Sequence, residues 1–129
     1  AQSGIDVRII TPHVADKWYV HMVTRSYYAQ LIRGGVKIYE YTPGFIHSKM
    51  FVSDDQVAIV GTANMDYRSF QLHYENAVLL YHMPVIEDLL EDMDAIMDAS
   101  QPYTLEEWEK RPWLRRMAAS ILKLGAIWL

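Results

Sequence analysis

The 129-residue chain contains no cysteine. That excludes disulfides and thiolate metal sites, argues against redox chemistry, and fits a reducing compartment. A surplus of positive charge is missing too: 12 Lys and Arg stand against 16 Asp and Glu, a formal net charge of −4. Without a basic field, a dedicated nucleic-acid binder would need a locally basic cleft, and no nucleic-acid partner is expected. No uninterrupted apolar run approaches the roughly 18 residues of a membrane span, and the start of the chain lacks the basic and apolar regions of a signal peptide. An initiator methionine is also absent. The opening AQSGIDVRII enters a strand almost at once, which suggests a C-terminal segment of something longer.

Hydrophobic residues make up 51% of the chain, enough to give a single domain a real core. Ile5, Val7 and Ile9 alternate with Asp6 and Arg8, the period of a strand, which Thr11-Pro12 stops. From Asp16 to Arg33 the stripe Val20, Val23, Tyr27, Leu31 has helical spacing, with Asp16 as N-cap and Gly34-Gly35 closing the end. VKIYEY reads as a second strand, and Pro43-Gly44 turns it into a third at 46–53, which ends at Asp54-Asp55. Val57 to Val60 is β-branched at three of four positions and suits a central strand buried on both faces. A strand at 75–81 leads through Pro84 into a helix with the stripe Val85, Leu89, Met93, Ile96, Met97 and an acidic opposite face. A helical extension follows over 104–129, with Pro112 starting a new helix. The mixture indicates a layered α/β arrangement in one domain, residues 1–129.

The chemistry concentrates in HSKMFVSDDQVAIVGTAN, residues 47–64. In an extended strand His47, Lys49 and Phe51 share a face, with alternate Cα atoms about 6.5–7 Å apart. An imidazole and an ammonium side by side can engage one phosphate, the first attacking phosphorus and the second neutralising non-bridging oxygens. In Gly61-Thr62-Ala63-Asn64 the glycine admits close approach of a ligand, and the Thr hydroxyl and Asn amide add hydrogen-bonding groups. A carboxylate at Glu75 could accept the second imidazole N–H, fixing its tautomer. Asp54, at a strand end, reads as an acceptor that fixes a turn. A lone histidine in an apolar strand is more often a core residue than a catalyst; here the accompanying residues reverse that reading.

Every fixed position of the pattern H-x-K-x4-D-x6-G-S/T-x-N is filled by His47, Lys49, Asp54, Gly61, Thr62 and Asn64. This is the HKD signature of the phospholipase D superfamily. The flanks, above all 26–81 and EEWEKRPWLRR, resemble the C-terminal HKD half of bacterial cardiolipin synthases. The resemblance implies a phospholipase D-like layered sandwich, a mixed β-sheet flanked by helices on both faces. It also implies phosphatidyl transfer through a phosphohistidine, without metal or other cofactor, joining two phosphatidylglycerol molecules with release of glycerol.

In that family one HKD histidine attacks the phosphodiester while a second protonates the leaving alkoxide. Here His13, His21, His73 and His82 have no lysine two residues on, so the chain resembles half of an active site. The expected partners are the N-terminal HKD half of the same protein, or a second copy, and a phospholipid substrate. Carried over, His47 is nucleophile or acid/base, Lys49 and Asn64 bind phosphate oxygens, Thr62 supports the turn, Glu75 orients His47, and Asp54 completes the signature. The implied location is the bacterial cell membrane, by peripheral contact. Leu114, Met117, Ala118, Ile121 and Leu122 against Arg115, Arg116 and Lys123, with Trp113 and Trp128 at the ends, suit either an interfacial helix or internal docking. Two further readings stay open: a single-motif phosphodiesterase or nuclease acting as a homodimer, and an inactive half-domain.

Overall fold

The computed structural model describes residues 1–124. Its elements run β1 (Arg8–Pro12), α1 (Trp18–Arg33), β2 (Lys37–Tyr41), β3 (Met50–Ser53), β4 (Val57–Gly61), α2 (Tyr67–Gln71), β5 (Ala77–Tyr81), α3 (Val85–Asp98), β6 (Ser100–Tyr103), α4 (Leu105–Glu109) and α5 (Trp113–Leu124). The α/β class holds, with the strands divided between two three-stranded sheets, β1-β2-β6 and β3-β4-β5. The chain forms two compact units. One comprises residues 1–46 with the chain from Ala99 onward; the other, His47–Asp98, is inserted within it.

In the first unit β1 and β2 are parallel, as a β-α-β connection requires. β6 adds antiparallel to β2, with Ile38 opposite Tyr103. Ile38 and Glu40, two apart, share a face with Thr11, and Tyr28 of α1 lies on that face through a 2.7 Å bond between its hydroxyl and that of Thr11. Tyr103 meets the Tyr28 ring edge-on at 4.9 Å. Glu40 is the buried charge of this core. Arg25 clasps it with two bonds, Nε to Oε1 at 2.6 Å and a terminal nitrogen to Oε2 at 2.5 Å. His13 Nδ1 lies 2.8 Å from Oε2. Burial pushes the Glu40 carboxyl pKa up, but the bonds from Arg25 and His13 outweigh it and the net shift is downward. Trp108 of α4 and Ala119 of α5 are buried, and a capping box between Thr104 and Glu107 starts α4.

Several boundaries differ from expectation. β1 begins at Arg8 and continues through Thr11-Pro12, because Pro12, paired with Tyr41, sits at the last position of an edge strand where its missing N–H costs nothing. Asp16 does not cap α1; Lys17 occupies that position with no side-chain bond. The most buried residues of α1 are Val23, Tyr28 and Ala29; of the expected stripe Val23 is buried and Leu31 half-buried, while Val20 and Tyr27 are exposed. Gly34 and Gly35 end the helix as expected, Gly35 at φ 89°. β6, a strand not foreseen, carries Pro102 in its middle. The helices at 105–109 and 113–124 match the helical reading of that region. The side chains of Arg115, Arg116 and Lys123, and Trp128 altogether, lie outside the described residues.

The second unit is an antiparallel meander with β4 at its centre, Met50 facing Val60 and Gly61 facing Ala77. The expectation that β4 is buried on both faces fails: Ala58 is fully buried, but Ile59 and Val60 are 39% and 38% exposed. A β-branched run marks strand type, not depth. The β3–β4 connection places Asp54 and Asp55 at φ 52° and 55°, the left-handed region that Asp tolerates in tight hairpins. α3 confirms the helix read after Pro84, with Ile86 its most buried residue.

Candidate active site

All six expected site residues lie in the second unit. β3 begins at Met50, so His47 and Lys49 precede the regular strand that was expected to hold them. Lys49 folds its ammonium back onto the carbonyl oxygen of His47, 2.7 Å away. The Lys49 carbonyl still accepts the Gly61 N–H at 3.0 Å, the last rung tying this segment to β4. His47 is exposed to solvent and Lys49 is half-buried, so the imidazole is accessible, as an attacking group must be.

Gly61 owes its identity to the adjacent strand rather than to a ligand. A Cβ there would fall 2.8 Å from the Ala77 Cβ and 2.9 Å from its Cα, and closer still to the Asn76 carbonyl oxygen. This tight approach lets Thr62 and Asn76 bond reciprocally: the Thr62 N–H donates to the Asn76 carbonyl at 2.9 Å, and the Asn76 N–H donates to the Thr62 hydroxyl at 3.1 Å. With its oxygen accepting from Asn76, the Thr62 hydroxyl gives its proton to Glu75 Oε2. Glu75 precedes β5, whose regular pairing starts at Ala77.

Glu75 is the hub of the cluster, its side chain 19% exposed. Its carboxyl lies below the ordinary glutamate value, first because of the Thr62 hydroxyl and next because of the Ser69 hydroxyl; slight desolvation opposes them, and the charges of His73 and Lys49 assist. Ser69 also accepts the Asn64 backbone N–H at 3.1 Å, so the turn after β4 and the start of α2 converge on one carboxylate. Asp66 caps α2 by accepting the Ser69 N–H at 2.7 Å.

Lys49, Thr62, Asn64 and Glu75 therefore gather at the end of the sheet where Gly61 faces Ala77, and His47 adjoins through Lys49. Asp54 does not join them. It sits in the hairpin turn at the other end of β3, about 16 Å of extended chain from Lys49, and accepts a bond from the Ser53 hydroxyl at 3.1 Å. The sequence reading missed Ser69 and Asp66. Their signal was present in Asp66-x-x-Ser69, an N-cap spacing ahead of a short helix. Among the described residues no group of three or more His, Asp or Glu is placed to hold a metal ion, and no helix is long and apolar enough to cross a membrane.

The chain is similar to several known proteins. A family model described as cardiolipin synthase, PLD-like domain, matches residues 1–97. A cardiolipin synthase of Geobacillus sp. (strain WCH70) is 42% identical over 124 residues, 96% of this chain and 25% of the relative. One from Clostridium perfringens (strain SM101 / Type A) is 38% identical over 96% of this chain and 26% of its own length. The chain thus spans about a quarter of the curated relatives it matches. Among solved structures, the phospholipase D family member Nuc from Salmonella typhimurium aligns with a TM-score of 0.64 at 22% identity, over 78% of this chain and 65% of that one. That likeness establishes the phospholipase D-like fold.

Proposed function

The chain belongs to the cardiolipin synthase, phospholipase D-like domain family, and from that premise we propose that it supplies one half of a phosphatidyltransferase site. In this reading the His47 imidazole attacks the phosphorus of phosphatidylglycerol. A nitrogen–phosphorus bond forms, the bond from phosphorus to the glycerol oxygen breaks, and a second histidine outside this chain gives the departing alkoxide its proton. The hydroxyl of another phosphatidylglycerol, deprotonated by that histidine, then attacks phosphorus, and His47 leaves as cardiolipin forms. The two histidines could exchange these parts without altering the balance. Lys49, released from the His47 carbonyl, and the Asn64 amide neutralise and hold the non-bridging oxygens. Thr62 braces the turn, and Glu75 supplies the negative charge that favours an imidazolium. Asp54 shapes the hairpin.

The observation that carries this reading is the convergence of Lys49, Thr62, Ser69 and Glu75 beside an exposed His47. The relatives' fourfold greater length supports a second histidine from the rest of a longer protein rather than from a second copy. Because the substrate resides in a bilayer, the enzyme works at the membrane surface. The test is conversion of phosphatidylglycerol vesicles to cardiolipin, together with acid quenching to trap phosphohistidine, by the full-length enzyme carrying this chain. His47→Ala abolishes cardiolipin formation; activity within tenfold of wild type refutes the assignment.

A further inference from the structure

His73 plays no part in the motif, yet its ring is held on both sides. A terminal nitrogen of Arg68 lies 3.2 Å from Nε2. A guanidinium has only donors, so Nε2 must accept and the proton of the neutral ring must reside on Nδ1. Nδ1 in turn faces Glu75 Oε1 at 3.9 Å, while Thr62 occupies Oε2. The two carboxylate oxygens therefore have different neighbours. At 3.9 Å the Nδ1–H and the carboxylate attract without a closed hydrogen bond, and a shift of about 1 Å would close it. The other groups acting on Glu75 are the Ser69 hydroxyl and the Lys49 ammonium.

We propose that His73 is a positioning residue: Arg68 fixes its Nδ1–H tautomer, and that N–H tethers Glu75 Oε1, adding to the hold of Thr62 and Ser69. The inference rests on the reading of Glu75 as the carboxylate that serves His47. Its logic is the one by which outer partners orient the groups that touch substrate. The Thr62 and Ser69 hydroxyls already bond the carboxylate; a His73 N–H on Oε1 adds a further tether against rotation about its terminal torsion, which is broad.

The chemistry offers two substitutions that separate this role from simple packing. Asparagine places an amide donor near the position of Nδ1, whereas glutamine places it near Nε2, against Arg68. In the full-length enzyme, His73→Asn retains kcat within about threefold. His73→Gln loses about tenfold in kcat with KM unchanged. Nitrogen-15 NMR of the histidine rings at mildly alkaline pH reads the tautomer without turnover: His73 is protonated at Nδ1 in the wild type, and Arg68→Ala returns it to a mixture. An Nε2–H tautomer in the wild type overturns the proposal, as do Asn and Gln variants with equal rates. Failure of the functional reading is seen separately, as a His47→Ala enzyme that still makes cardiolipin.

Discussion

Gly61→Ala tests the link between the sheet and the site. Gly61 is not among the glycines with positive φ, so the substitution meets no conformational barrier and its cost is steric. The new methyl group would lie 2.8 Å from the Ala77 Cβ. Ordinary carbon–carbon contact begins near 3.5 Å, so β5 must retreat by about 0.7 Å on that account alone, and farther to clear the Asn76 carbonyl. Overpacking of this kind costs about 1–3 kcal/mol. The Thr62 N–H bond to Asn76, 2.9 Å long, stretches with it and adds about 0.5–1.5 kcal/mol. A total of about 2–4 kcal/mol corresponds to a fall of about 1–2 M in the urea midpoint. Gly44→Ala is the control, because a Cβ there meets nothing within 4 Å; its midpoint stays the same or rises slightly. Retreat of β5 also draws Glu75 from Thr62, so transfer falls even under conditions where the variant remains folded. Equal midpoints for the two alanine variants would refute the close-approach argument.

Arg25→Met strands a carboxylate that is 5% exposed and costs about 3–5 kcal/mol by chemical denaturation, whereas the double variant with Glu40→Leu recovers much of that loss; a double variant as unstable as the single one contradicts the account of the pair. Acid should act in two stages, followed by circular dichroism against pH. His21 is shifted down, by burial first and by the Arg25 charge next, so its stabilising share is full above the unfolded value near 6.5 and is lost as pH falls through its lower folded value. The depressed Glu40 carboxyl contributes in the same sense but later, with full stability above the ordinary glutamate value of 4.5 and loss as pH drops through its lower folded value. His21→Gln removes the first stage and leaves the second; persistence of both stages in that variant disproves the assignment to His21.

The site was more legible in the sequence than the strands that carry it. The motif and the resemblance it carries pointed to Lys49, Thr62, Asn64 and Glu75 together, and the structure gathers them at one end of the sheet. The motif gave no hint that Gly61 serves Ala77, since a close approach is a property of two strands and only one of them was in view. β6 escaped notice because Ser100-Gln101-Pro102-Tyr103 is polar and contains proline, and its pairing partner lies far away in the chain. The α1 stripe held at Val23 and missed at Tyr27, where the buried residues are its neighbours Tyr28 and Ala29. Helical period fixes which residues share a face, but the Thr11–Tyr28 bond decides which face is inside, and that bond joins residues seventeen apart. Asp54 shows the opposite case: its place five residues beyond Lys49 at a strand end marked it as a turn residue, and the β3–β4 hairpin holds it there.

The late position of β6 has a consequence for biosynthesis. A ribosome has completed the whole inserted unit, whose hairpins pair near neighbours, before Ser100–Tyr103 has been made. Through that interval β2, paired with β1 on one side, is an open edge on the other, where Ile38 and Glu40 await Tyr103 and Gln101, the condition in which nascent chains add to one another. The last strand closes it, and Pro102, having no N–H to offer, discourages any further strand from joining. Truncation before residue 100 should therefore yield aggregates rather than a soluble shorter domain.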